Sequence, residues 1–189
     1  MIDIFQPKYR VITVSGKIAV GTSTLSKNLH HVLGWKRFNA GDIQRKYDRE
    51  HHINENYRGA LARPDEHEKE IDSMTKKILQ NEKNLIYEAW LAGFMAQGLP
   101  GILKVLLICS SEAVRIDRVA NRDKLSIEEA KKYIKRREEE NIAKWKKLYG
   151  NFDFWDPKYY DLVIDTFSSG PMETLGKVID KLGNSVSFK

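Results

Sequence analysis

A chain of 189 residues that is 41% hydrophobic and 31% charged has enough apolar side chain for a sizeable core. That excludes global disorder and fits about one domain with a small mobile insert. The net charge of +6 suits phosphate-bearing ligands; basic residues interleave with acids from Lys131 to Lys147, so no stripe for nucleic acid forms, and no apolar run approaches the ~18 residues of a membrane span.

The single cysteine, Cys109, lies in the apolar run Leu106–Cys109 and reads as a small core residue. Met1 to Arg10 is too short and too polar for a signal peptide, so the expected location is the cytoplasm. Strand and helix signals then alternate, which predicts a parallel sheet covered on both faces. Arg10 to Ser15 is the first strand. Thr22 to Leu33 is a helix with Leu25, Leu29, Val32 and Leu33 on one face, stopped by Gly34. A short strand over Arg37 to Asn39 leads into Ala40-Gly41-Asp42 and another helix. Pro64 breaks the chain, and Asp65 is placed to cap a charged helix reaching about Gln80.

Asn84 to Glu88 reads as a buried strand ending in an acid, and Leu103 to Ile108 as a second buried strand. A helix follows from Ser110-Ser111-Glu112 to about Asn121. Ser126-Ile127-Glu128-Glu129 is a capping box that opens a long charged helix toward Tyr149, with Gly150 as terminator. Asp161 to Ile164 is the last strand and Met172 to Leu182 the last helix, giving about five strands with no internal repeat. The pairs His30-His31 and His51-His52 lack partners at metal-ligand spacing and read as surface residues.

The strongest chemical signal lies between the first strand and the first helix. In Gly16-Lys17-Ile18-Ala19-Val20-Gly21-Thr22-Ser23-Thr24, the two glycines have the spacing of a phosphate-binding loop. Such a loop turns backbone N–H groups onto a phosphate and adds the positive end of the following helix. Ser23 stands where a hydroxyl binds Mg²⁺. Thr22 occupies the usual lysine position, and a lysine stands instead at Lys17. Either Lys17 reaches the phosphates from the start of the loop, or arginines elsewhere supply the charge. The expected ligands are therefore ATP and Mg²⁺.

Taken with three later segments, this loop resembles the archaeal-type cytidylate kinases of the P-loop nucleoside monophosphate kinase group. Those proteins commonly carry threonine after the second loop glycine, as here at Thr22, while Lys17 and Ala19 depart from their pattern. Ala40-Gly41-Asp42-Ile43-Gln44-Arg45 is similar to the family's A-G-D-I-F-R, and Glu88-Ala89-Trp90-Leu91-Ala92-Gly93-Phe94-Met95 to its E-G-R-L-A-G-W-M. A fourth likeness runs from Val114 through Arg115, Arg118, Arg122 and Arg137-Glu138-Glu139 to Leu148-Tyr149-Gly150. The resemblance implies an α/β, three-layer P-loop NTPase fold: one domain over residues 1–189, with an acceptor-binding insert at about 40–82 and a helical lid at about 122–150. It implies that Arg45 contacts the acceptor phosphate and that Arg122 and Arg137 serve the transferring group; Lys17, outside the family pattern, is a candidate for the same group by its place at the start of the loop. The expected partners are small nucleotides, with no nucleic acid and no membrane, for a monomer or weak homodimer.

Several residues admit two readings. Asp42 either orients a hydroxyl or Mg²⁺, or caps its helix. Glu88 either holds a magnesium-bound water at the carboxyl edge of the sheet or forms an ion pair. Asp72 either reads the acceptor's sugar or base or is a surface aspartate. Trp90 stands where the family has an arginine, and either stacks on a base or sugar or fills core. Lys144 stands where the family has a lid arginine. Arg118 and Arg122 are four residues apart on one helix face, which favours an anion between them. The leading expectation is transfer of the ATP γ-phosphate to a nucleoside monophosphate, CMP first. The alternatives are a P-loop kinase with an alcohol acceptor, for which Asp42 is the base candidate, and a nucleotide-binding regulator with little catalysis.

Overall fold

The computed structural model describes residues 8–53 and 60–183. The stretch 1–7 and part of the expected insert, 54–59, lie outside the described residues. Five strands form a sheet: β1 (Val11–Ser15), β2 (Lys36–Asn39), β3 (Leu85–Glu88), β4 (Ile102–Ile108) and β5 (Leu162–Asp165), in the order β2-β3-β1-β4-β5 with every pairing parallel. β1 is central and buried at all five residues, as a strand covered on both faces must be. Its Ile12 and Val14 face a core completed by Leu25, Leu29, Leu175 and Val178, while Val11 joins Leu79, Tyr87, Ala92 and Ala96 on the opposite face.

Seven α-helices occur among the described residues: α1 (Thr22–Leu33), α2 (Ala40–Glu50), α3 (Asp65–Asn81), α4 (Ala92–Met95), α5 (Glu112–Asp123), α6 (Ile127–Tyr149) and α7 (Pro171–Gly183). The capping box at the start of α6 forms as expected: Ser126 Oγ accepts from the Glu129 amide at 3.3 Å, and Glu129 Oε2 accepts from the Ser126 amide at 2.8 Å. The four paired histidines are exposed, and Cys109 packs half-buried against the core. The one-turn helix α4 gave no periodic signal because four residues are too few to show one.

Two local expectations are corrected. Val32 is 56% exposed rather than buried. The inward face of α1 is rotated to bury Ser26, which hydrogen-bonds Glu88, and this carries Val32 to the rim while Leu33 still meets the core. Asp65 does not cap α3. The N-cap position is Pro64, and the Asp65 carboxylate instead takes Lys144 and Lys147 from α6.

That contact belongs to a tie between α2, α3 and α6. The Arg63 guanidinium, 3% exposed, donates to both Asp48 oxygens at 2.8 and 3.0 Å and to Glu68 at 3.1 Å. Its carbonyl accepts from the buried Lys144 ammonium at 2.7 Å. Asn141 of α6 accepts from the Ala60 amide at 2.6 Å. Burial pushes the Glu68 carboxyl above its ordinary range, against the pull of Arg63. Removing Arg63 would leave two buried carboxylates without their cation. Arg63→Ala is expected to cost about 3–5 kcal/mol, read as a lowered urea midpoint. A midpoint within error of wild type would contradict this tie.

Candidate functional site

The loop between β1 and α1 is shaped from behind. Ala19 and Gly21 adopt positive φ of 59° and 97°, which curls the backbone back on itself. The carbonyls of the curl are taken up on one side: Ile18 by Arg115 Nε at 2.9 Å, Ala19 by Arg118 Nη1 at 3.0 Å, and Val20 by Thr166 Oγ1 at 2.9 Å. Arg118 also donates to the Thr166 carbonyl at 2.9 Å, so it braces the loop backbone. Gly16 permits the close pass beneath the loop. A Cβ there would stand 2.4 Å from Val20 Cγ2 and 2.7 Å from the Leu107 carbonyl oxygen.

Ser23, in the first turn of α1, donates to Glu88 Oε1 at 2.5 Å. The other Glu88 oxygen accepts from Ser26 Oγ and from Arg37 Nη2, both at 2.6 Å, and Arg37 Nε donates to Ser26 Oγ at 2.7 Å. Glu88 therefore forms the ion pair that is one of its two readings, and it also lies against the loop through Ser23. A serine hydroxyl beside a carboxylate oxygen is a hard-oxygen donor pair, the chemistry Mg²⁺ takes. Among the described residues no cluster of three or more His, Cys, Asp or Glu side chains offers an alternative metal cage. Arg37 and Ser26 were not singled out in the sequence. A charged residue in a short strand and a serine on an apolar helix face were their only signals.

A cavity of about 490 Å³ opens on this junction. Gly16, Lys17, Ile18, Ala19, Thr22 and Ser23 form one wall, and Arg45, Asp72, Glu88 and Trp90 line it further along. Arg122 and Arg137 approach from the α5–α6 pair. A second cavity of about 370 Å³ takes Gly21, Thr24, Arg118 and Thr166, and shares Ala19, Thr22, Ser23 and Arg122 with the first. Twelve expected site residues thus meet in the larger space and two more in the smaller. Val20 lines neither, being 2% exposed beneath the loop.

Asp42 also lines neither cavity. It pairs with Arg45 and is 63% exposed, and Asn39 rather than Asp42 caps α2, accepting from the Gly41 amide at 2.9 Å. Lys144 is turned away into the Arg63–Asp65 contact, so its charge does not reach the cavity. The Asp72 carboxylate accepts from the Tyr149 hydroxyl, and burial raises its pKa from the ordinary aspartate value. Arg137 donates to the Tyr133 hydroxyl at 2.5 Å, and its Nε is buried without a hydrogen-bond partner. Arg122 pairs with Asp123, whose hydrogen bond raises the guanidinium pKa. Trp90 is half-buried: its ring meets Trp145 edge-on at 5.4 Å while part of it lines the cavity. The Lys17 ammonium lies 4.9 Å from the centroid of the Trp155 ring.

Residues 11–168 match the model of the cytidylate kinase-like family. The chain is 36% identical over 166 residues to a cytidylate kinase of Methanosarcina mazei, covering 87% of this chain and 91% of that protein. It is 38% identical over 159 residues to a cytidylate kinase of Methanothrix thermoacetophila, covering 82% and 88%. Among solved structures, an uncharacterized protein from Eubacterium ventriosum superposes with a TM-score of 0.69 at 12% identity, over 92% of this chain and 98% of that one. A gluconokinase from Sinorhizobium meliloti gives 0.62 at 12% identity, over 95% and 94%, and shares the fold alone. The chain belongs to the cytidylate kinase-like family, and it is an ATP-dependent phosphotransferase with a P-loop kinase fold.

Gly16 tests the loop without touching a polar group. Gly16→Ala forces about 1–3 kcal/mol of overpacking against Val20 and a backbone oxygen. Calorimetry is expected to show ADP binding weakened roughly tenfold or more. Unchanged affinity would mean that the loop does not hold the nucleotide.

Proposed function

We propose that this protein transfers the γ-phosphoryl group of ATP to a nucleoside monophosphate, with CMP the preferred acceptor. The observation that carries this reading is one cavity with the curled loop on one wall, Arg45, Asp72 and Trp90 on another, and the Ser23–Glu88 pair between them. The names of the relatives support CMP. The acceptor phosphate is itself the nucleophile, so no general base is required and positioning with charge neutralisation carries the chemistry.

In this reading Gly16 to Thr24 cradle the donor phosphates, and the second cavity takes the rest of the donor nucleotide. Ser23, backed by Glu88, holds Mg²⁺, which when bound supplies neutralisation of charge on the outer phosphates. Arg45 holds the acceptor phosphate, Asp72 and Trp90 contact its sugar or base, and Lys17, Arg122 and Arg137 face the transferring group. The α5–α6 pair acts as a lid that excludes water when both nucleotides are bound. An alcohol acceptor deprotonated by Asp42 finds no support, because Asp42 lies outside the cavity and is paired with Arg45.

A coupled assay over all nucleoside monophosphates and nucleosides is expected to show fastest turnover with CMP. Arg45→Ala is expected to raise the acceptor KM roughly tenfold or more, the loss of a hydrogen bond to a charged group, and to leave the ATP KM unchanged. No turnover with any monophosphate would overturn the reading.

A further inference from the structure

Lys17 is the loop's own cation, in a loop whose usual lysine position holds Thr22. Among the described residues it forms no ion pair. Its ammonium instead faces an indole, 4.9 Å from the Trp155 centroid and within the ~6 Å reach of a cation–π contact. Trp155 lies in the connection between α6 and β5 and packs among other aromatic rings. Its Nε1 donates to the Trp90 carbonyl at 3.2 Å, its ring lies 6.2 Å from both Trp145 and Trp90, and the preceding Phe154 is 1% exposed. The indole is therefore seated by contacts that do not involve Lys17.

We propose that Trp155 is a positioning residue for Lys17, seating its ammonium at the wall of the phosphate cavity. The proposal rests on the reading that Lys17 serves the ATP phosphates. A π-face is suited to this task in a way that a carboxylate is not. It orients the lysine and shortens the search of a flexible four-carbon stem, yet it leaves the full positive charge unneutralised. The weak hold is also cheap to exchange for a phosphate oxygen. A carboxylate partner would cancel the charge and would have to be displaced. Trp155 thereby compensates for the lysine that the loop lacks at Thr22, from a segment far away in the chain.

The test is a double-mutant cycle on ADP affinity by calorimetry, so that no acceptor has to be identified. Trp155→Leu in the full chain is expected to weaken ADP binding two- to fivefold, the change that about 0.5–1 kcal/mol of cation–π contact gives. Trp155→Phe keeps a π-face and is expected to retain most of the affinity, which also guards against a folding defect in the leucine variant. Lys17→Ala is expected to weaken binding about tenfold or more, and in that background Trp155→Leu should have no further effect. If the two losses simply multiply, or if Trp155→Phe is as weak as Trp155→Leu, the positioning role is overturned while the role of Lys17 stands. If Lys17→Ala binds ADP as wild type does, both are overturned.

Discussion

One carboxylate holds the site together. Glu88 ends β3 beside the central strand, and its side chain is 6% exposed. A charge so deeply placed is tolerable only when its oxygens are satisfied. Here they accept from Ser23 and Ser26 of α1 and from Arg37 of β2. The consecutive elements α1 and β2 are thereby locked to the distant β3 at the carboxyl ends of the strands, where an open parallel sheet leaves its crevice. The orientation of α1 follows from this, since Ser26 has to face inward, and so does the placement of the hydroxyl that opens onto the cavity.

The loop is correspondingly held from its rear. Arg115, Arg118 and Thr166 occupy the carbonyls of Ile18, Ala19 and Val20, so its curl does not depend on a ligand to exist. On the far side of the cavity, Arg63 and Lys144 bind α2 and α3 to the last third of α6. Helix α6 therefore serves two purposes. Its middle presents Arg137 to the cavity, and its end anchors the elements that carry Arg45 and Asp72. The position of Arg137 and the placement of α2 and α3 are thus connected through one helix.

What was legible in the sequence was local. The glycine spacing of the loop, the span of α1, the capping box at Ser126 and the buried run of β4 are each written within a few residues, and each is present in the structure. The sheet order was not legible, because alternating strand and helix signals do not say that β1 is the centre. What failed depended on that order. Arg37 meets Glu88 only because β2 lies beside β3, Ser26 is buried only because it faces that pair, and Lys144 turns to Arg63 and Asp65 rather than to the cavity. The capping role weighed for Asp42 belongs to Asn39, and pairing with Arg45 keeps Asp42 at the surface. Propensity and spacing cannot distinguish these choices, since each is decided by a neighbour from elsewhere in the chain.

The central claim is that the Ser23–Glu88 pair is where a metal-bound phosphate is received. The most direct measurement is the gain in ADP affinity on adding Mg²⁺, compared between wild type and Ser23→Ala, a variant that leaves the Arg37–Glu88 ion pair in place. The account predicts a clear gain for wild type and little or none for the variant, with the two affinities close when Mg²⁺ is absent. An equal gain in both proteins would contradict it.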